Sequence, residues 1–160
     1  MRIIGGVFKG KKIFKPSDLS TRPLKDLTKE SIFNILNHSK HLNFKLEESL
    51  VLDLFCGTGS FGLECISRGA ANVTFVENYK PVLKILIRNI DKLKCHKKIR
   101  IIENNIIEEN FLHNIEKKFH LIFLDPPYKE KKITNLLKTI IELKLLKKNG
   151  IIIIHRHKKE

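Results

Sequence analysis

The stretch over residues 51–64 constrains the fold more strongly than any other part of this sequence. An apolar run over residues 51–55 is typical of a buried strand in a parallel sheet. Gly57 and Gly59 interrupt that run, and apolar residues then return at helical spacing from Phe61. A strand, a glycine turn and a helix together present free backbone N–H groups and the positive end of a helix dipole to a ligand. The stretch therefore predicts a ligand-binding turn that the rest of a sheet holds in place.

The charge of the chain predicts a polyanionic partner. Its 160 residues suit a single domain, and 31 Lys and Arg against 17 Asp and Glu give a net charge of +14. This surplus favours nucleic acid over a membrane, although an AT-rich genome would also enrich lysine.

The remaining composition limits the class of protein. No apolar run is long enough to span a membrane and the N-terminus carries no secretory signal, so we expect a cytoplasmic protein that is monomeric and has no membrane partner. Three cysteines without metal-ligand spacing predict neither a disulfide framework nor a metal site. We interpret each cysteine as a small buried apolar residue.

The N-terminal part of the chain predicts a β-hairpin over residues 2–15 and a helix over residues 25–36. Lysines of the hairpin stand beside Phe8 and Phe14, which suits either a nucleic-acid surface or a solvated strand edge. The expected buried face of the helix consists of Leu27, Ile32, Phe33 and Leu36.

From residue 50 onward, strand and helix patterns alternate. Strands are predicted over residues 73–77, 100–102, 119–125 and 150–155, and helices over residues 82–93 and 133–145, with a weak helix over 108–115. Alternating units of this kind predict an α/β fold with a mostly parallel sheet and helices on both faces. Ligands of such sheets bind at the carboxyl ends of the strands.

Two acidic residues accompany the glycine turn at those strand ends. Gly57-x-Gly59-x-x-Gly62 matches the dinucleotide fingerprint, so a nicotinamide or flavin enzyme has to be considered. Asp53, four residues before the first glycine, would repel a pyrophosphate and suits a cationic ligand with an amino-acid portion. Glu77, at the end of the second strand, can accept hydrogen bonds from vicinal ribose hydroxyls, or it is simply an exposed acid.

The sequence Asp125-Pro126-Pro127-Tyr128 ends the fourth core strand abruptly, because proline has no backbone N–H to donate to a helix or to a neighbouring strand. The Asp125 carboxylate and the Pro126 carbonyl can both accept hydrogen bonds from an amino group, and Tyr128 offers a face for a planar base. Two acceptors on an aromatic amine localise its lone pair on nitrogen. The alternative is a turn with incidental prolines.

These motifs together resemble a known family. The glycine turn, Glu77 and the Asp-Pro-Pro-Tyr motif look like a Rossmann-like S-adenosylmethionine methyltransferase that acts on an exocyclic amine. The wider set resembles the bacterial 16S ribosomal RNA guanine-N(2) methyltransferase family, through Met1-Arg2-Ile3-Ile4-Gly5-Gly6, Thr21-Arg22-Pro23 and Glu30-Ser31-Ile32-Phe33-Asn34. The resemblance covers nearly the whole chain.

The resemblance implies a role for each matching residue. Asp53, Phe55, Gly57, Gly59, Glu77 and Asn105 would bind S-adenosylmethionine; Asp125, Pro126 and Tyr128 would act on the target guanine; and Arg22 and Pro127 would contact the substrate. The partner would be ribosomal RNA or a small-subunit particle. The reaction would be a direct displacement without a metal or a covalent enzyme intermediate. We expect one domain over residues 1–160, with an RNA-facing part (1–40) and a catalytic core (49–160).

Two departures from the family pattern stand out. Asn104-Asn105 replaces an acid that would contact the cofactor adenine, which predicts weaker cofactor binding. The C-terminal strand hairpin of related enzymes is expected to be missing, and His155 replaces an acid at the end of the last strand. An adenine-amino DNA methyltransferase and a truncated, non-catalytic RNA-binding remnant therefore remain as alternatives.

Overall fold

Five parallel strands form the centre of the molecule. They are β1 (Leu50–Leu54), β2 (Asn72–Glu77), β3 (Ile99–Glu103), β4 (Phe119–Leu124) and β5 (Leu146–Ile154), in the spatial order β3-β2-β1-β4-β5. The computed structural model describes residues 1–16, 24–108, 110–127 and 130–156. All four pairings in this sheet are parallel, so the carboxyl ends of the five strands meet at one edge. The predicted parallel sheet is confirmed.

Four α-helices cover both faces of the sheet. They are α1 (Asp26–His38), α2 (Ser60–Ser67), α3 (Lys80–Leu93) and α4 (Ile133–Glu142). Successive strand residues point to opposite faces: Val51, Phe75 and Phe123 join the core under α1, α2 and α3, whereas Leu52, Val76 and Leu124 join the core under α4. Burial on both faces explains why the strands are apolar at nearly every position. None of the helices in the described part of the chain is long and apolar enough to cross a membrane.

A stack of three phenylalanines joins two helices to the sheet. Phe61 of α2 lies on Phe123 of β4, with ring centroids 3.7 Å apart, and on Phe33 of α1, at 5.2 Å. The Arg68 guanidinium lies 4.4 Å from the Phe33 centroid. The stack fixes α1 and α2 against the strand that precedes the Asp-Pro-Pro-Tyr motif.

A buried carboxylate ties the N-terminal segment to this core. Glu64 of α2 is fully buried and accepts hydrogen bonds from the backbone N–H groups of Ile4 (2.8 Å) and Gly5 (2.7 Å). Arg68 Nε donates to the same carboxylate at 2.8 Å, and Nζ of the fully buried Lys29 lies 3.7 Å from it. Burial lowers the pKa of Lys29, and the carboxylates of Glu64 and Asp26 oppose that shift. Glu64 therefore links the N-terminus, α1 and α2.

The hairpin predicted over residues 2–15 is confirmed in part. Its two sides share an antiparallel bridge between Arg2 and Lys12 and backbone hydrogen bonds such as that from the Ile3 N–H to the Lys11 carbonyl (3.0 Å), around a 3-10 helix at Gly6–Phe8. The N–H groups of residues 4, 5 and 8 donate to side chains of α2 and not to a second strand. Gly6 has φ +72°, and a Cβ there would lie 1.8 Å from the Ser67 carbonyl oxygen. Only glycine allows the segment to approach α2 so closely.

The predicted buried face of the first helix is wrong at Leu27, which is 75% exposed. Lys29, Phe33 and Leu36 are the buried residues of α1. An apolar pattern cannot identify a lysine as a core residue, because its burial depends on Glu64, which lies in another helix.

Three predicted boundaries also differ. The weak helix over residues 108–115 is only a 3-10 turn at Leu112–Asn114. The last helix ends at Glu142 and not at residue 145, because the chain turns there and β5 begins at Leu146, earlier than the predicted residue 150. Lys144 adopts φ +51° in this turn, which ends the helical path.

We predict that Glu64→Gln lowers the free energy of unfolding by about 3 kcal/mol or more, since removing one member of a buried ion pair leaves the other charge uncompensated. Urea denaturation followed by circular dichroism would measure this. Glu142→Gln, at an exposed position of α4, is the control and should change stability by less than about 0.5 kcal/mol. Equal effects of the two substitutions would contradict the role given to Glu64.

Candidate active site

A cavity of about 660 Å³ opens at the carboxyl edge of the sheet. Each strand contributes one polar lining residue at or just beyond its end: Asp53 from β1, Glu77 from β2, Asn105 after β3, Asp125 after β4 and His155 after β5. Thus the structure brings together the four polar site residues that the sequence predicted for the core, and it adds a fifth. The convergence follows from the parallel arrangement of all five strands.

The other predicted site residues are distributed as follows. Phe55, Gly57, Pro126 and Pro127 also line the cavity. Gly59 lies between two lining residues, Thr58 and Ser60, without contributing to the wall itself. Arg22 and Tyr128 lie outside the described residues.

The turn after β1 depends on left-handed backbone conformations. Phe55, Gly57 and Gly59 have φ values of +58°, +55° and +80°. At Gly59 a Cβ would also lie 2.4 Å from Leu86 Cδ1, so the turn and the packing of α3 both require glycine there. Phe55 carries the strain of a positive φ without being glycine, next to the cavity, which is where strained residues commonly have a functional reason.

Asp53 is the most unusual group of the site. It is 1% exposed, and its Oδ2 accepts a hydrogen bond from the Gly62 N–H at 3.0 Å. In the described part of the chain, its Oδ1 is buried without a hydrogen-bond partner. Burial raises the pKa of Asp53 well above its usual range; the Gly62 hydrogen bond opposes the shift, and the carboxylates of Asp125 and Glu77 add to it. A cation in the cavity would relieve this penalty.

Backbone hydrogen bonds hold the Glu77 carboxylate in place. Oε2 accepts from the Gly57 N–H at 2.9 Å, and Oε1 accepts from the N–H groups of Asn78 (2.9 Å) and Tyr79 (3.0 Å). Glu77 thereby connects the glycine turn with the start of α3. Carboxylate oxygens offer about four acceptor sites, so a diol can still bind this preorganised group.

Asp125 follows β4 directly and is held by both neighbouring strands. Its N–H faces the Leu54 carbonyl of β1 at 3.5 Å, and its Oδ1 lies 2.8 Å from Nδ1 of His155. Pro126 is buried and Pro127 is exposed, so the first proline belongs to the wall and the second to the rim. The motif therefore places the Asp125 carboxylate and Pro126 in the wall of the cavity, at the carboxyl edge of the sheet.

The sequence analysis did not assign His155, Lys25 or Thr28 to the site, although all three line the cavity. Lys25 and Thr28 reach the cavity because the contact between Lys29 and Glu64 holds the start of α1 there. His155 had a recognisable signal, since it follows the last predicted strand of a parallel sheet. Asn105 lies on the opposite side, where its Oδ1 accepts the Ile107 N–H at 3.2 Å.

The site offers neither a thiolate nor a metal centre in the described part of the chain. Cys56 lines the cavity, but burial raises the pKa of its thiol well above the usual range, and the Asp53 and Glu77 carboxylates add to the shift. All three cysteines are free and buried, as expected. No group of His, Cys, Asp and Glu among the described residues could hold a metal ion.

We predict that Asp53→Asn stabilises the ligand-free protein near neutral pH. A pKa raised on folding means that the stability contributed by Asp53 is present below the unfolded pKa of about 3.9 and is lost as pH rises through the folded pKa. The gain arises because the ionised carboxylate is penalised by burial only in the folded state. Asparagine can still accept the Gly62 N–H.

Urea denaturation at about pH 7 and about pH 4 tests this, because the gain should disappear at the lower pH. Asp91→Asn, on the exposed surface of α3, is the control and should show no such gain. An Asp53→Asn protein with a lower free energy of unfolding than the original at neutral pH would contradict the prediction.

Comparison with known proteins agrees with this geometry. The family described as "Conserved hypothetical protein 95" matches residues 1–160. The chain is 36% identical over 156 residues to "Putative rRNA methyltransferase YlbH" of Bacillus subtilis, covering 96% of this chain and 80% of that protein. It is 32% identical over 159 residues to "Ribosomal RNA small subunit methyltransferase D" of Haemophilus influenzae, covering 99% of this chain and 79% of that one.

Solved structures give the same result. "Putative methyltransferase yhhF" from Escherichia coli superposes with a TM-score of 0.75 at 29% identity, covering 98% of this chain and 79% of that chain. A methyltransferase from Podospora anserina, PaMTH1, whose structure is SAH-bound, superposes with a TM-score of 0.58 at 25% identity over 66% of this chain and 44% of that chain. The fold is therefore the Rossmann-like methyltransferase fold, and the chain belongs to the family "Conserved hypothetical protein 95" together with the ribosomal RNA small subunit methyltransferases D.

Proposed function

We propose that this cavity binds S-adenosylmethionine beside the N2 amine of a guanine in 16S ribosomal RNA and that Asp125 and Pro126 hold the amine. The protein is an S-adenosylmethionine-dependent methyltransferase of ribosomal RNA, as its family and its relatives indicate. The observation that carries the proposal is the common cavity, which is lined by Asp125 and Pro126 as well as by the glycine turn and Glu77. Neither a nicotinamide enzyme nor an adenine-amino DNA methyltransferase is favoured by the relatives.

The residues present suit this cofactor. Asp53 offers a buried carboxylate oxygen without a hydrogen-bond partner in the described part of the chain, which suits the cationic methionine part, and Gly57 of the glycine turn lines the cavity beside it. Glu77 is positioned by three N–H groups to accept bonds from the two ribose hydroxyls. Asn105 would meet the adenine amine through its side-chain carbonyl. When bound, the cofactor supplies an electrophilic methyl group on a sulfonium and leaves as a neutral thioether.

The contribution of the chain to the reaction is orientation of the amine. Asp125 Oδ and the Pro126 carbonyl accept the two N–H bonds of guanine N2, which turns the nitrogen lone pair out of the ring system and towards the methyl group. Holding two reactants in such a geometry can recover about 7–11 kcal/mol of the barrier. Tyr128 would stack on the base, and Pro127 would contact it at the rim. The base has to leave its stack to enter, at a cost of a few kcal/mol.

The N-terminal part of the chain, residues 1–40, is proposed to face the RNA. The exposed ring of Phe14 lies between the Arg88 guanidinium (4.2 Å from its centroid) and Lys92 Nζ (4.8 Å) of α3. Asn89 fixes the backbone of Phe14 by accepting its N–H at 2.7 Å and donating to its carbonyl at 3.2 Å. A fixed aromatic ring with two cations suits an RNA backbone and an unstacked base.

Other features extend the proposal. Arg22 would contact the RNA close to the target base, and residues 49–160 would form the catalytic core of one domain. We also propose that the protein acts as a monomer in the cytoplasm, on ribosomal RNA or on a small-subunit particle. The net charge of +14 supports a partner of this kind.

We predict that Asp125→Ala reduces methyl transfer by about 100-fold or more, because the amine loses an acceptor that acts in the transition state. RNA affinity should change by less than about threefold, since the carboxylate contacts no phosphate. The assay is transfer of tritiated methyl from S-adenosylmethionine to small-subunit particles lacking the modification, with identification of N2-methylguanosine. Asp91→Ala is the surface control. Turnover close to that of the original protein would contradict the mechanism.

We predict that Glu77→Gln weakens S-adenosylmethionine binding by about tenfold, since hydrogen bonds to a neutral group are weaker than those to a charged one. Glutamine keeps one acceptor oxygen for these backbone N–H groups, whereas its NH2 group cannot accept the bond that the second carboxylate oxygen takes. Isothermal titration calorimetry would measure the change. Glu103→Gln is the matched control, because Glu103 is the partner of Glu77 in the β2–β3 register and is exposed. An unchanged dissociation constant for Glu77→Gln would contradict the ribose role.

A further inference from the structure

The hydrogen bond between Asp125 and His155 is a consequence of the sheet register. Leu124 of β4 pairs with Ile154 of β5, and the His155 N–H continues the ladder by donating to the Leu124 carbonyl at 2.9 Å. The next residue on each strand therefore lies beside the other, and the two side chains meet with Asp125 Oδ1 2.8 Å from His155 Nδ1. Both side chains line the cavity.

Chemistry fixes the direction of this hydrogen bond. An ionised carboxylate can only accept, so His155 Nδ1 must carry the proton while Asp125 is charged. In a neutral imidazole this leaves Nε2 as the unprotonated nitrogen. Each carboxylate oxygen accepts more than one hydrogen bond, so the contact orients Asp125 without preventing it from binding an amine.

We propose that His155 is a positioning residue for the methyl-transfer reaction: its Nδ1–H orients the Asp125 carboxylate towards the guanine amine. The inference rests on the proposed function of Asp125. The hydrogen bond holds one carboxylate oxygen in place and leaves further acceptor sites for the amine.

The partial burial of the pair makes this interaction effective. The side chains of His155 and Asp125 are 32% and 25% exposed, so water screens them less than it screens a surface pair. Among the described residues, the other charged groups that line the cavity are Asp53 on β1, Glu77 on β2, Lys25 at the start of α1, and Glu130, whose carbonyl accepts from Arg156 Nη1 at 3.2 Å. Asp53 is proposed to bind the cofactor, so the test has to separate cofactor binding from the effect of His155.

Two substitutions of similar shape test the hydrogen bond. Asparagine places an amide N–H where Nδ1 lies, and leucine has the same branched outline without a donor. We expect His155→Asn to keep kcat within about threefold, because the donor is preserved. We expect His155→Leu to lose about tenfold or more in kcat, the size of one hydrogen bond to a charged group.

All rates are measured at saturating S-adenosylmethionine, so that cofactor binding by Asp53 does not enter kcat. The dissociation constant for S-adenosylmethionine should change by less than about threefold in both variants, which distinguishes positioning from a general loss of structure. A His155→Leu protein with the original kcat would overturn the inference. So would a His155→Asn protein that loses as much kcat as His155→Leu, because the donated hydrogen bond would then not account for the loss.

A measurement independent of activity tests whether His155 donates to Asp125. Nitrogen-15 NMR of the imidazole at about pH 8 should show the proton on Nδ1 of His155, and His155→Asn identifies the signal. A proton on Nε2 would overturn the inference. If the original protein transferred no methyl group to the particles, the proposed function would fail, whereas the Nδ1 measurement would still decide whether His155 donates to Asp125.

Discussion

The Glu64 carboxylate is the interaction on which the arrangement of this protein depends most. It lies in the middle of α2, where Arg68 and Lys29 supply positive charge and the N-terminal segment supplies two backbone donors. Removing such a group from water costs several kcal/mol, and only a complete set of partners compensates that cost. The contact with Lys29 holds α1 against α2, and the first turn of α1 forms part of the cavity wall through Thr28. A buried ion pair remote from the strand ends thus helps to shape the site.

The parallel sheet accounts for the rest of the site. Five strands running in one direction bring five chain segments, far apart in sequence, to the same edge. The carboxylates of Asp53, Glu77 and Asp125 meet there, and their mutual repulsion contributes to the raised pKa of Asp53. This concentration of negative charge contrasts with the two cations beside Phe14, so the protein separates an acidic cavity from a basic surface.

Much of the fold was predictable because the apolar runs and the glycine positions depend on residues that are close together in the sequence. Apolar runs identified the strands, and Gly57 with Gly59 identified the turn, since the conformation required there is available mainly to glycine. The failures at the N-terminus depended on distant partners. Leu27 fitted the apolar face of α1, yet Lys29 is buried in its place because Glu64 lies across the helix interface. In the N-terminal hairpin, the N–H groups of residues 4, 5 and 8 likewise donate to α2, which no pattern within residues 2–15 reveals.

The same distinction applies to the site. Asp53, Glu77 and Asp125 were identifiable because each lies at or just beyond the end of a strand, whereas the contact between Asp125 and His155 required the order and register of β4 and β5. Register also explains why Asp53 can remain buried with an oxygen that lacks a partner in the described chain: its backbone is paired on both sides, with Phe75 and Phe123. The sheet therefore holds the Asp53 carboxylate in a position where burial penalises its ionised form in the ligand-free protein. A cation bound in the cavity would remove this penalty, and the free energy released would then contribute to the binding of that cation.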